Sequence, residues 1–422
     1  MRKGIDVTRK ILRKLSLFII ISLLAAGCSA NNQIPEQNGN TATSAPTASN
    51  ENNSLTPSPD PSATPDATVT PEPEPEKKEP VKVKAVYVTG TVAGSKRLDE
   101  FIELVNSTEL NSLVIDIKEG GMVNYDSQVP LVKELGLSKK NFNVEEVLKK
   151  CHENNIHVVG RIVVFRDNGL ATKKNALAIK RVNGSIWTEG KQGAWTNPYR
   201  EEVQDYNIDI AKEAVELGFD EIQFDYVRFP TAKAKEVSYG ENVPEKSEVI
   251  SGFLKKASEA IKKVKDVPVS ADVFGIVVES DRDGNAIGQK FDLLGEHIDY
   301  ISPMIYPSHY ANDSKGTMGN GVGQSVNGVL FTAPDLKPYD VIYQSLLKTK
   351  QRISESAAFT AQVRPYLQDF TASYLPDGYW QTYGKKQVRD QIQAVYDAGY
   401  EEWILWSGKN IYTKDALLLE SK

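Results

Sequence analysis

From Val81 onward, short runs rich in β-branched residues alternate with amphipathic stretches of helical period, and this alternation constrains the fold more than any other feature of the chain. A strand–helix repeat of this kind is how a parallel sheet with helical crossovers is written in sequence. Strands are predicted at 84–89, 112–117, 157–165, 221–226, 267–273, 300–306, 359–364 and 402–406. Helical patterns fall between them at 98–106, 144–154, 200–217, 249–264, 341–353 and 386–398, with Gly218 and Gly399 placed as helix-ending glycines. A last, short helix is predicted near 414–420.

Eight strand–helix repeats suit a closed barrel, and the side-chain parity of the strands supports closure. In a closed barrel one parity of each strand faces the helices and the other faces the interior. Ile222, Phe224 and Tyr226 share one parity, while Glu221, Gln223 and Asp225 share the other. The second strand sets Leu113, Ile115 and Ile117 against Val114, Asp116 and Lys118. Ser270 and Asp272, then Ser302, Met304 and Tyr306, and then Gln362 and Arg364 continue the inward set. The expected fold class is therefore α/β, a (β/α)8 TIM barrel spanning 81–422, with its chemistry at the C-terminal mouth. A doubly wound open sheet is the alternative, but it calls for a Gly-rich phosphate turn after Thr89, and the sequence has none there.

The first 80 residues have a different character. Six basic residues precede an apolar run from Leu15 to Ala26 that is too short to span a bilayer, and the run ends in Ala25-Ala26-Gly27-Cys28. This is the pattern of a lipoprotein signal peptide over 1–27, with Cys28 as the lipidated residue. Residues 28–80 are rich in Pro, Ser, Thr, Asn and Glu with few large apolar groups, the composition of a disordered tether. The expected location is the extracellular face of the cell membrane. The net charge of −6 includes those basic residues, so the rest of the chain is more acidic still and nucleic acid is not an expected partner.

Asp225 is the first candidate for chemistry, at the end of Glu221-Ile222-Gln223-Phe224-Asp225. Glycosidic hydrolysis requires two carboxyl groups, and Asp272 is the matching inward carboxylate on the next strand. Neighbouring strands lie about 4.8 Å apart, so the two could face each other across the gap of a retaining mechanism. In the competing structural reading, Asp225 pairs with Arg228 or Arg364 and Asp272 caps a helix. Asp116, with Lys118 close by, is a third carboxylate at the mouth, and Asp369 lies just beyond the seventh strand. Aromatics including Tyr87, Phe165, Trp187, Trp195, Tyr226, Tyr306, Tyr310, Tyr366 and Trp406 fall at the same end, and flat rings suit the C–H faces of sugars. The four histidines are scattered, and only His309 follows a strand end, so neither a metal nor any other cofactor is expected. Asp281-Arg282-Asp283-Gly284-Asn285 has the look of a calcium loop but lacks its glycine and glutamate, and reads as an Asp-Gly turn.

Several segments together resemble a family of bacterial envelope proteins regarded as glycoside hydrolases with barrel folds. The resemblance is carried by Tyr87-Val88-Thr89, Val114-Ile115-Asp116-Ile117-Lys118, Phe165-Arg166-Asp167, Phe224-Asp225-Tyr226-Val227-Arg228-Phe229-Pro230, Ser302-Pro303-Met304-Ile305-Tyr306-Pro307 and Trp403-Ile404-Leu405-Trp406. Arg166, Arg228, Tyr306, His309 and Trp406, with Asp116, Lys118, Arg364 and Asp369, are the expected supporting or substrate-binding residues, and a polysaccharide is the expected substrate. A looser similarity to the alpha-amylase superfamily implies that the strand-four aspartate, Asp225, is the nucleophile; that superfamily has a glutamate as its strand-five acid, where this chain has Asp272. A non-catalytic wall-glycan binder built on the same cleft is the rival function class.

Overall fold

The computed structural model describes residues 80–310 and 323–419. The signal, Cys28 and tether expectations lie outside the described residues. No helix among the described residues is long and apolar enough to cross a membrane.

Eight parallel strands form a closed ring: β1 Lys84–Val88, β2 Ser112–Glu119, β3 His157–Val163, β4 Glu221–Asp225, β5 Val269–Phe274, β6 Tyr300–Met304, β7 Tyr366–Gln368 and β8 Trp403–Trp406. Closure comes from β1, which pairs with β2 through Ala85↔Ser112 and with β8 through Lys84↔Trp403. The helices α1 Arg97–Asn106, α2 Val144–Glu153, α3 Glu201–Leu217 and α4 Lys246–Val264 form the crossovers up to β5. Three short helices, the middle one Asp281–Ile287, follow β5, and Pro338–Glu355 and Lys385–Asp397 follow β6 and β7. The expected last helix is a 3-10 turn, Lys414–Ala416.

Local sequence accounts for these elements. The Asn143 side chain caps α2 by accepting from Glu146 N–H, acids occupy its first turn, and Lys150 and His152 its last, which complements the helix dipole. Val147, Leu148 and Cys151 fall on the one stripe of α2 that is buried. Gly218 ends α3 at φ 111°, a conformation that L side chains rarely adopt.

Two separate apolar cores confirm the parity reading. Val86, Val88, Ile222, Phe224, Ala271 and Leu405 belong to the large core between strands and helices. Ala85, Tyr87, Val114, Val159, Tyr306, Tyr366 and Ile404 fill the barrel interior. Below the mouth, Arg364 holds Glu221 at 2.8 Å and Glu402 at 3.3 Å, all three buried, and Ser270 donates to Glu221 at 2.6 Å.

Three expectations need correction. Lys118 does not point inward: a bulge shifts the β2–β3 register between Asp116 and Lys118, so Lys118 lies opposite Ile162 and turns toward the helices. There its ammonium is fully buried, 2.7 Å from Asp167 and 2.9 Å from the Asn207 side-chain oxygen on α3. The seventh strand begins later than expected and comes in two pieces, Gln362–Val363 and Tyr366–Gln368, because Pro365 has no N–H to give the ladder. Gln362 is consequently exposed, and Arg364 sits low in the barrel with Glu221 rather than beside Asp225. Lastly, the Asp281 segment is a helix capped by Ser280 rather than a turn, with Asp281 and Asp292 paired to Arg352 at 2.6 and 2.9 Å.

Candidate active site

The mouth is organised around an arginine that the strand patterns did not single out. Arg161 lies on β3 with the inward parity of His157 and Val159, level with Asp116 of β2 and Gln223 of β4. Its Nη1 is 2.6 Å from Asp116 Oδ1 and 3.2 Å from Glu119 Oε2. Its Nη2 and Nε donate to Asp225 Oδ2 at 2.5 and 3.2 Å. Nε is also 3.9 Å from Asp272 Oδ2. The two distances from Nε, 3.2 and 3.9 Å, cap the separation of those two carboxylate oxygens at about 7 Å. Strands β2, β4 and β5 thus converge their carboxylates on one guanidinium. An arginine inside an otherwise apolar strand was the signal for it, because a buried cation requires a buried anion.

The aspartates differ in environment although all are at most 5 % exposed. Asp225 has both oxygens engaged, Oδ2 by Arg161 and Oδ1 by the Tyr226 N–H at 2.5 Å. Asp272 has a buried Oδ1 with no hydrogen-bond partner. Burial pushes its pKa well above the usual carboxylate range, and the charge of Asp225 adds to the effect. Asp116 accepts from the Tyr87 hydroxyl at 2.6 Å; burial, opposed by Arg161 and reinforced by Glu119, brings it to about 6. Asp225 is thus held in charge-assisted bonds, while burial favours the neutral form of its neighbour Asp272.

The other expected residues fall into two groups. Tyr306, buried, and Trp406, half-buried, line the interior with Tyr87: the Trp406 ring stacks on Tyr87 at 6.3 Å and lies 5.6 Å from Tyr306. His309 is exposed, its ring edge-on to Tyr306 at 4.9 Å. Arg166 binds Glu119 at 3.1 Å and the Tyr226 hydroxyl, and Arg228 is buried among Trp195, Tyr226 and Phe274. These belong to the mouth. Asp369, by contrast, is committed to Thr413, accepting from its N–H at 2.8 Å and its hydroxyl at 2.7 Å, and so fastens the segment after β8. Arg364 and Lys118 lie elsewhere, as described, and the rings of Phe165, Trp187 and Tyr310 belong to the outer core. Among the described residues, no three His, Cys, Asp or Glu side chains are grouped so as to hold a metal ion.

No curated protein sequence matches this chain significantly. Among solved structures, the glycoside hydrolase domain of PgaB (BpsB) from Bordetella bronchiseptica is 12 % identical with a TM-score of 0.55, over 81 % of this chain and 100 % of that one. A beta-galactosidase from the psychrophilic Marinomonas ef1 is 10 % identical with a TM-score of 0.50, over 76 % of this chain and 53 % of that one. Both share the fold. A hypothetical protein from Ruminiclostridium thermocellum ATCC 27405 is 47 % identical, over 44 % of this chain and 97 % of that one, with a TM-score of 0.42. A family model described as "Putative glycosyl hydrolase domain" matches residues 85–412, nearly the whole barrel. The chain therefore belongs to that family, DUF4015, and is a (β/α)8 barrel of the glycosidase type.

Proposed function

We propose that the chain hydrolyses glycosidic bonds of an extracellular or cell-wall polysaccharide, with Asp225 attacking or stabilising the anomeric carbon and Asp272 donating the proton to the departing oxygen. The observation that carries this is the pairing itself: two inward carboxyl groups on adjacent strands within reach of one guanidinium, one held in charge-assisted bonds and the other with a buried oxygen that has no partner among the described residues. The cap of about 7 Å admits the roughly 5–5.5 Å spacing of retaining enzymes and excludes most of the roughly 6.5–9.5 Å range of inverting ones. Tyr87, Tyr306 and Trp406 supply flat faces for sugar rings. Lipidation at Cys28 and a tether over 28–80 would hold the barrel at the outer membrane face, within reach of such a polymer.

One observation favours a second reading, a glycan-binding barrel without turnover: both oxygens of Asp225 are engaged and it is only 5 % exposed. Incubating the full chain with wall and capsule polysaccharides and measuring new reducing ends separates the two. New ends are expected from at least one polymer; retention of a polymer that is never cut supports the binder.

A further inference from the structure

Four arginines are buried among the described residues: Arg161, Arg228, Arg352 and Arg364. Three of them meet a carboxylate at 2.8 Å or less. Arg228, 6 % exposed, has no ion-pair partner among the described residues. Among the described residues it makes one hydrogen bond, from Nη1 to the Phe229 carbonyl at 2.9 Å. Its guanidinium carbon lies 4.8, 5.1 and 4.6 Å from the ring centroids of Trp195, Tyr226 and Phe274. Aromatic faces compensate part of the cost of burying a cation, but they leave most of the planar fork of N–H donors unused. Such a fork matches a planar, two-oxygen anion.

The surroundings extend this charge toward the cleft. Tyr226, directly after Asp225, has φ 49°, an uncommon conformation for a bulky residue and of the kind that clusters at functional sites. Both Arg228 and Arg166 approach its ring, the Arg166 guanidinium carbon at 3.7 Å and that of Arg228 at 5.1 Å from the centroid. Arg166 in turn lines a cleft of about 390 Å³ with Glu119, Asn168 and Lys191. Glu119 balances Arg166 at 3.1 Å, and Glu189, which accepts from Trp195 Nε1 at 3.1 Å, favours the charge of Arg228 from beyond ion-pair distance.

We propose that Arg228, with Arg166 and Lys191 along the adjoining cleft, forms a subsite for an anionic sugar substituent, a carboxylate, so that the glycan this barrel recognises is an acidic polysaccharide. The nature of the ligand rests on the glycan-cleaving reading; the subsite rests on the unpaired buried guanidinium. A chain of net charge −6 does not attract polyanions indiscriminately, so retention of one would report a built site.

Affinity electrophoresis of the full chain in gels containing polygalacturonate, or the same polymer with its carboxyls reduced to neutral alcohols, tests this. Polygalacturonate should retard the wild type and the reduced polymer should not. Arg228→Gln should weaken retardation at least about tenfold, Arg228→Lys, which keeps the charge but not the fork, several-fold, and Arg282→Gln, at an exposed position, not at all. Circular dichroism shows whether the glutamine variant folds; if it does not, the lysine variant decides. Chondroitin sulfate and a glycerol-phosphate teichoic acid serve as parallel arms, and Arg228-dependent retention by either identifies the anion as sulfate or phosphate and upholds the subsite. Equal retention of the neutral polymer, retention unchanged in both Arg228 variants, or no retention by any anionic polymer overturns it. Because binding is read without turnover, a chain that retains the acidic polymer and cuts nothing overturns the hydrolase reading alone.

Discussion

Arg161 and Asp225, on neighbouring strands of the barrel, meet through two bonds to a single carboxylate oxygen, 2.5 Å from Nη2 and 3.2 Å from Nε. The same guanidinium serves Asp116 at 2.6 Å. Burial disfavours its charge, yet Asp225 and Asp116 hold its pKa well above the usual value, so the cluster stands or falls as a unit.

Arg161→Met should therefore do more than remove one contact. Two buried carboxylates would lose their counter-charge, at a cost on the order of 3–5 kcal/mol. Chemical denaturation should show that loss, and an Arg161→Met/Asp225→Asn double variant should recover part of it by removing one orphaned charge. No recovery would mean that the pair is not coupled.

The lower layer makes a prediction about acid. Burial alone would raise the pKa of Glu221, but the Arg364 guanidinium, the nearby His157 ring and the Ser270 hydroxyl bring it down to about 2, below the roughly 4.5 of an unfolded glutamate. A depressed carboxyl contributes stability that is fully present above the unfolded value and is lost as pH falls through the folded one. Wild-type stability should thus include a component on the order of 3 kcal/mol that disappears between about pH 4.5 and 2. In Glu221→Gln that component should be absent, so that part of the pH–stability curve flattens. An unchanged slope in the variant would assign the acid lability to other carboxyls.

The expected anchor is testable without reference to the barrel. Cys28→Ala should abolish incorporation of labelled fatty acid and release the protein from the membrane fraction, or leave it unprocessed. Persistent lipid incorporation in the variant would place the modification elsewhere.

Much of this architecture was legible because period-two alternation survives wherever a strand stays regular. Glu221, Gln223 and Asp225 point inward as their parity requires, and so do Ser270 and Asp272. Parity failed where the backbone breaks the period, at the bulge that turns Lys118 outward and at Pro365, which divides the seventh strand. Arg161 is inconspicuous in the sequence because its neighbours Val158, Val159, Ile162 and Val163 make the segment read as a buried apolar strand. Its partners are distant in sequence: Asp116 and Asp225 precede and follow it by 45 and 64 residues, so their meeting is a product of barrel closure. Asp369 carried the same carboxyl chemistry as the others, and only the path of the chain after β8 shows that Thr413 occupies it.

We propose that Asp225 and Asp272 act together, with Asp272 as the proton donor. The most direct test compares Asp272→Asn with wild type on a cleaved polysaccharide and on an aryl glycoside of the same sugar, whose leaving group departs without protonation. On the polysaccharide the variant should lose about 10²–10⁴-fold in turnover, and the fall in wild-type activity as pH rises through the elevated pKa of Asp272 should vanish. On the aryl glycoside the first step should survive in the variant and fail in Asp225→Asn, with melting temperatures close to wild type. Equal loss on both substrates, or an Asp272→Asn variant that cleaves the polysaccharide normally, would contradict the assignment.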